Sequence, residues 1–248
     1  WGLSHRGRIF AAPVLSLADA DWALAELEWA LERDARTIFI RPNPVKQPDG
    51  WRSLADPHYE AFWQRVNDAG ICISFHQADT VYQSHSAYWI PQQGSSGLKF
   101  GENPMAAVMH LRAVSGAISD TLCAFVCGGL FQRFPNLRVA SIENGADWVD
   151  SCLWRLGMAA GQMPWAFPED PAETFRRHVW IAPFQGEDFR HLAERIGAER
   201  ILFGSDFPHP EGVAKPLSFL DDVSVFGAED ARKIMRENLR GLSERRPL

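Results

Sequence analysis

Residues 56–76 read DPHYEAFWQRVNDAGICISFH. Residues 56–69 read as a helix, and Gly70 stands where a C-cap is wanted. Ile71-Cys72-Ile73-Ser74-Phe75-His76 follows as a buried strand, by its β-branched and aromatic content. The same alternation extends outward in both directions. Upstream, 8–15 reads as a strand, 19–33 as an amphipathic helix with Trp22, Leu24, Leu27 and Ala30 near helical spacing, and 36–40 as a strand. The breaker-rich Arg41-Pro42-Asn43-Pro44 closes that strand. Downstream, 104–134 reads as helical with a break near Gly128-Gly129. Then come a strand at 137–143, a helix at 148–156, a strand at 178–182, a helix at 188–196, a strand at 201–206 and a closing helix at 228–242.

Repeated strand–helix units imply a parallel sheet with helical crossovers. Six units are countable, and a closed (β/α)8 barrel needs eight. The expectation is an α/β fold: a distorted TIM barrel, with this chain lacking its first one or two strands. A smaller open sheet is the alternative. The 248 residues are expected to form one domain, with a loop insertion at about 77–103.

The net charge is −6, which argues against nucleic acid as the main partner. No apolar run is long enough to span a bilayer and no signal-peptide pattern opens the sequence, so no membrane partner and a cytoplasmic location are expected. Cys72, Cys123, Cys127 and Cys152 lie in apolar stretches without CxxC pairing, which suits buried free thiols in a reducing compartment. The 10 Trp and 16 Phe suit a large core, with an aromatic wall around an unsaturated or ring-bearing substrate as a second use.

Three acidic or imidazole groups stand at strand ends, where an α/β barrel opens its catalytic mouth. Asp206, in Phe203-Gly204-Ser205-Asp206-Phe207-Pro208-His209-Pro210, could bind a divalent metal or act as base to a metal-bound water; a turn aspartate is an equal alternative. His76 could be a metal ligand or a structural histidine. Glu143 could bind metal, orient a water or hold a substrate hydroxyl, or cap the helix beyond it. Arg41 could clamp a substrate carboxylate or make a surface ion pair. His209 could donate a proton. Asn43, Phe207 and Trp148 are further candidates for substrate contact. No Walker loop, no GxSxG elbow and no dinucleotide fingerprint occurs.

Ser74-Phe75-His76, residues 129–139, Ile201-Leu202-Phe203-Gly204-Ser205-Asp206-Phe207-Pro208-His209 and Lys233-Ile234-Met235-Arg236-Glu237-Asn238 together resemble the amidohydrolase-related family. Its members include aminocarboxymuconate semialdehyde decarboxylase and γ-resorcylate decarboxylase. The resemblance implies one divalent metal, zinc or manganese, with His76 and Asp206 as ligands and Asp206 also handling protons. It implies a small carboxylate substrate and a homodimer. Family members usually add ligands from His-x-His or Glu-x-His on strand one, and neither motif occurs here. That absence counts against metal binding by this chain alone. Glu143 occupies the place where many members carry a catalytic histidine. The expected activity is decarboxylation of an unsaturated or aromatic acid. Hydrolysis of an ester, lactone or amide, and an inert barrel used for binding, are the alternatives.

Overall fold

The structure, a computed structural model, describes residues 9–77, 81–82, 106–209, 212 and 214–248. Most of the expected insertion at 77–103 lies outside the described residues. Strands β1 (Thr37–Ile40), β4 (Cys72–His76), β5 (Arg138–Ile142) and β6 (Val179–Ile181) form one sheet in the order β1-β4-β5-β6. Every pair is parallel. Isolated parallel bridges extend it, Val14 to Phe39 on one side and Ile181 to Ile201 on the other. Sheet order therefore follows chain order across six positions, which is the winding of a (β/α) barrel. Among the described residues no pairing joins the Val14 edge to the Ile201 edge.

Two expected strands shrink to bridges. At 8–15, Pro13 has no N–H to give; its carbonyl accepts from the Phe39 amide at 2.8 Å, and the Leu15 amide donates to Phe39 at 2.9 Å. At 201–206 the last helical region takes over the edge. The closing segment runs Ala228–Arg232, a π-turn at Lys233–Glu237, then Asn238–Leu242. The π-turn leaves the Ile234 carbonyl to accept from the Phe203 amide at 3.1 Å. The Asn238 side chain donates to the carbonyls of Ala198 and Ile201 at 2.9 and 2.8 Å. These bonds satisfy backbone groups that a further strand residue would have engaged, and they seal an exposed edge.

Three further elements differ from expectation. A short antiparallel hairpin, β2 (Val45–Gln47) with β3 (Gly50–Arg52), turns through Pro48-Asp49, and its strands are too short to show alternation. The helix Val149–Gln162 runs six residues beyond Leu156, through Gly157 and Gly161. A helix Pro171–His178 begins on an Asp170 cap, whose side chain accepts from the Ala172 amide. The helix Ala20–Glu32 starts on an Asp19 cap that accepts from the Trp22 amide.

The core is aromatic where the helices meet the sheet. Phe125, on the helix Ala106–Cys127, packs edge-to-face on Trp63, Phe75 and Phe131, with ring centroids 5.3, 5.6 and 5.7 Å apart. Several other tryptophans, Trp22, Trp29, Trp51, Trp154 and Trp165, are exposed. The thiol expectation needs correcting: Cys72 and Cys152 are buried, Cys123 is partly covered and Cys127 is exposed at the end of its helix. Among the described residues no helix is long and apolar enough to cross a membrane.

The lower rim of the sheet is tied by buried Arg138, which donates to the carbonyls of Gly70, Gly241 and Glu244. Gly70 has φ +56°, and a Cβ there would strike the Arg246 backbone carbonyl. Gly70→Ala is therefore expected to cost about 2 kcal/mol or more, from the left-handed backbone and the clash together. Equilibrium denaturation checks it; an unchanged midpoint would contradict this reading of the turn.

His178 is also buried, stacked on Phe131 at 4.3 Å, with Nδ1 donating to the Leu137 carbonyl at 2.7 Å. Burial holds its imidazole below the usual histidine range, and the bond to Leu137 opposes that shift. The unfolded chain thus takes up a proton near pH 6.5 that the folded chain resists. Stability is expected to be full above that pH and to fall as the pH drops below it. His178→Asn should flatten this slope in denaturation midpoints measured from neutral to mildly acidic pH.

Candidate active site

β4 and β5 run in register, so His76 lies opposite Ile142, and the Gln77 amide donates to the Ile142 carbonyl at 3.1 Å. The residue after Ile142 is Glu143. Its φ of +57° turns the chain sharply out of the strand, and its carboxylate meets His76 Nε2 at 2.9 Å. The other ring nitrogen, Nδ1, lies 2.8 Å from the Gln77 carbonyl. A carbonyl can only accept, so a neutral His76 carries its proton on Nδ1 and leaves Nε2 as an acceptor, whereas His76⁺ donates to both partners. The Phe39 ring stands edge-on to the imidazole at 5.5 Å.

Asp206 arrives from the other side. After Leu202 donates to the Ile181 carbonyl at 2.8 Å, residues 203–206 leave the sheet and the chain reverses at Asp206, φ +54°. The His209 amide closes that turn on the Asp206 carbonyl at 2.8 Å. His209 Nδ1 then lies 3.8 Å from Asp206 Oδ2. Glu143, Asp206 and His209 each present one ligand atom, all within 4.8 Å of one another. Of the four mouth side chains Glu143 is the most sheltered, at 15% exposure, and His209 the least, at 56%.

Two of the three non-glycine residues with positive φ among the described residues are Glu143 and Asp206. Each costs roughly 1–2 kcal/mol over the ordinary backbone. Such strain persists where the surroundings fix it, and it clusters at functional sites. Here the fixing groups are residues the sequence did not single out. Asn144, fully buried, donates to the carbonyls of Phe75 at 3.0 Å and Ile142 at 2.8 Å, so it ties the Glu143 turn to the strand that carries His76. Glu187 accepts from the Ala146 amide with both oxygens, at 2.9 and 3.0 Å, and from the Phe184 amide at 2.7 Å. Burial pushes the Glu187 carboxyl up, against those backbone bonds. Gly145, φ +62°, sits against the Phe184 ring, where a Cβ would collide. The motif Glu143-Asn144-Gly145 carried a signal for this turn; nothing local marked Glu187.

The remaining candidates do not converge on the cluster equally. Arg41 is exposed just past β1. Asn43 braces the loop, donating to the Pro44 carbonyl and accepting from the Val81 amide at 3.2 Å. Phe207 is 78% exposed. Trp148 lies in the core, its indole donating to the Gly145 carbonyl at 3.0 Å and its ring against Phe175. It supports the turn from below instead of forming a wall. A crevice of about 200 Å³ opens beside Glu187 between two helices and is lined by none of the four mouth residues. Its walls carry the Asp150–His191 and Asp150–Arg195 ion pairs. The grouped carboxylates and imidazole, Glu143, Asp206 and His209, lie at the open strand ends instead.

A sequentially wound parallel sheet with carboxylates and imidazoles gathered at its strand carboxyl ends defines a (β/α)-barrel protein with a candidate active site. The profile of the Amidohydrolase family matches residues 1–240, and the chain belongs to that family. Among solved structures it is similar to an amidohydrolase from Mycobacterium avium subsp. paratuberculosis, with 40% identity and a TM-score of 0.87 over 96% of this chain and 59% of that one. It also shares its fold with a dihydroxybenzoic acid decarboxylase from Polaromonas sp. JS666, solved with manganese and the inhibitor 2-nitroresorcinol; the TM-score is 0.74, at 17% identity, over 98% of this chain and 71% of that one. A curated relative, 2-amino-3-carboxymuconate-6-semialdehyde decarboxylase from Dictyostelium discoideum, is 21% identical over 77% of this chain. This chain spans about half of that relative, 48% of its length. The fold of these relatives accords with the barrel expectation.

Proposed function

We propose that the chain is a metal-dependent carbon–carbon lyase that decarboxylates a small unsaturated or aromatic carboxylic acid. The observation that carries this reading is the convergence of Glu143, Asp206 and His209, with His76 bonded to Glu143, at one end of the parallel sheet. The named decarboxylases among the relatives support it, as does the manganese in one of them.

The donor set fits a divalent cation. Two carboxylates and an imidazole suit zinc or manganese, and three protein ligands are the number a catalytic site ordinarily supplies. Asp206, His209 and Glu143 would hold the ion, with His76 either joining them or orienting Glu143 from behind. When bound, the cation would supply a Lewis acid for the substrate carboxylate.

The chain's own residues do the rest. Arg41, exposed at the mouth side of β1, faces solvent with a guanidinium fork suited to a carboxylate. Phe207 offers an apolar surface beside Asp206 for an unsaturated group. As carbon dioxide leaves, the bonding pair stays on the substrate carbon, and Asp206 would relay the proton that carbon needs. The His76–Glu143 pair can then return a proton to Asp206.

A hydrolytic reading draws on one observation, the 2.9 Å contact between His76 and Glu143. A carboxylate–imidazole pair can also take a proton from an attacking water. The two readings separate by product. The metal-loaded chain should release carbon dioxide from at least one member of a panel of hydroxybenzoates and unsaturated dicarboxylates. Ester or lactone cleavage with no carbon dioxide from any acid would overturn the lyase assignment.

A further inference from the structure

Away from the mouth, two thiols face each other across a helix pair. Cys123 lies near the end of the helix Ala106–Cys127, and Cys152 lies in the first turn of Val149–Gln162. Their sulfurs are 3.4 Å apart, although 29 positions separate the residues in sequence. We infer that Cys123 and Cys152 form a redox-sensitive pair, which a hydroperoxide converts into a disulfide joining the two helices.

The two thiols have unlike settings, and this assigns their roles. Cys152 is fully buried, whereas Cys123 is partly open to solvent. The hydrogen bond between them stabilises a thiolate on Cys123, whose thiol is held below its ordinary range, and it raises Cys152 strongly as the donor. Arg155 acts on both sulfurs in the sense that favours a thiolate, and Asp120 opposes it at Cys123. Cys123 is thus the accessible nucleophile, and Cys152 is the resolving thiol already beside it.

The Cys123 thiolate attacks one peroxide oxygen; the O–O bond breaks, an alcohol departs after taking a proton, and Cys123 becomes a sulfenic acid. The Cys152 sulfur then attacks the Cys123 sulfur as its own proton leaves. The S–O bond breaks, water departs and the S–S bond forms. Two thiols are oxidised by two electrons and one hydroperoxide is reduced. The sulfurs must close from 3.4 Å to about 2.0 Å, a shift within reach of side-chain rotation and a small movement of the helices. The helix bearing Cys152 begins just after the turn 143–148, so the bond would pin one boundary of the candidate active site.

The test uses the whole chain and one equivalent of tert-butyl hydroperoxide. Titration of unfolded protein should show the four free thiols falling to two, the intact mass should drop by two hydrogens, and a non-reduced digest should join the Cys123 and Cys152 peptides. Cys123→Ser should keep three thiols and lose the mass change, while Cys127→Ser should still form the bridge. The oxidised wild-type chain should melt at a higher temperature than the reduced chain. A bridge that includes Cys127, a bridge between chains, or stable oxygen adducts with no cross-link would overturn the proposal. Those outcomes are read on the wild-type protein and stand whatever the variants do.

Discussion

Asp206→Asn is expected to lower turnover by about a thousandfold or more, because it removes the group that delivers the proton and weakens the cation site at once. The fold should change by less than about 1 kcal/mol. Asparagine tolerates the left-handed backbone as well as aspartate does, so φ +54° at this turn costs it no more. The backbone bond from His209 to the Asp206 carbonyl also survives. Steady-state kinetics on any substrate found in the panel, beside a denaturation curve, checks both halves. Normal activity in this variant would show that Asp206 is a turn residue and nothing more.

Glu143→Gly should separate stability from activity in opposite directions. A glycine relieves the φ of +57°, so the variant is expected to be more stable by about 1 kcal/mol. His76 loses its partner at 2.9 Å, and the cluster loses its most sheltered carboxylate. Activity should therefore fall by about a hundredfold or more. Glu143→Gln keeps the backbone cost and should lose a similar amount of activity without the gain in stability. Equal activity in all three proteins would remove Glu143 from the chemistry.

The parallel winding was legible because strand–helix units carry local marks: the helical spacing of Trp22, Leu24, Leu27 and Ala30, Gly70 as a cap, and the apolar run into His76. The candidate cluster was legible at His76, Glu143 and Asp206 because strand ends are where such folds gather reactive groups. Geometry beyond that was not. Nothing in the sequence reports that Glu143 and Asp206 adopt left-handed backbones, and it was this reversal that brought Glu143 onto His76 instead of leaving it as a helix cap. Glu187 was invisible because the turn it braces, through the Ala146 amide, lies 41 positions away. Trp148 looked like a wall residue because an indole after a strand end suits either a pocket or a core, and only the packing against Phe175 distinguishes them. The strand expected at 201–206 failed for a similar reason: its hydrogen bonds go to Asn238 and Ile234 on the closing helix.

Glu143, Asp206 and His209 are proposed to form a cation site served by His76. Its most direct test is a manganese titration followed by electron paramagnetic resonance of the free ion, on the wild-type chain and on Asp206→Asn. One saturable site per chain is expected in the wild type, with affinity lowered at least about tenfold in the variant. No saturable binding, or binding indifferent to Asp206, would contradict it.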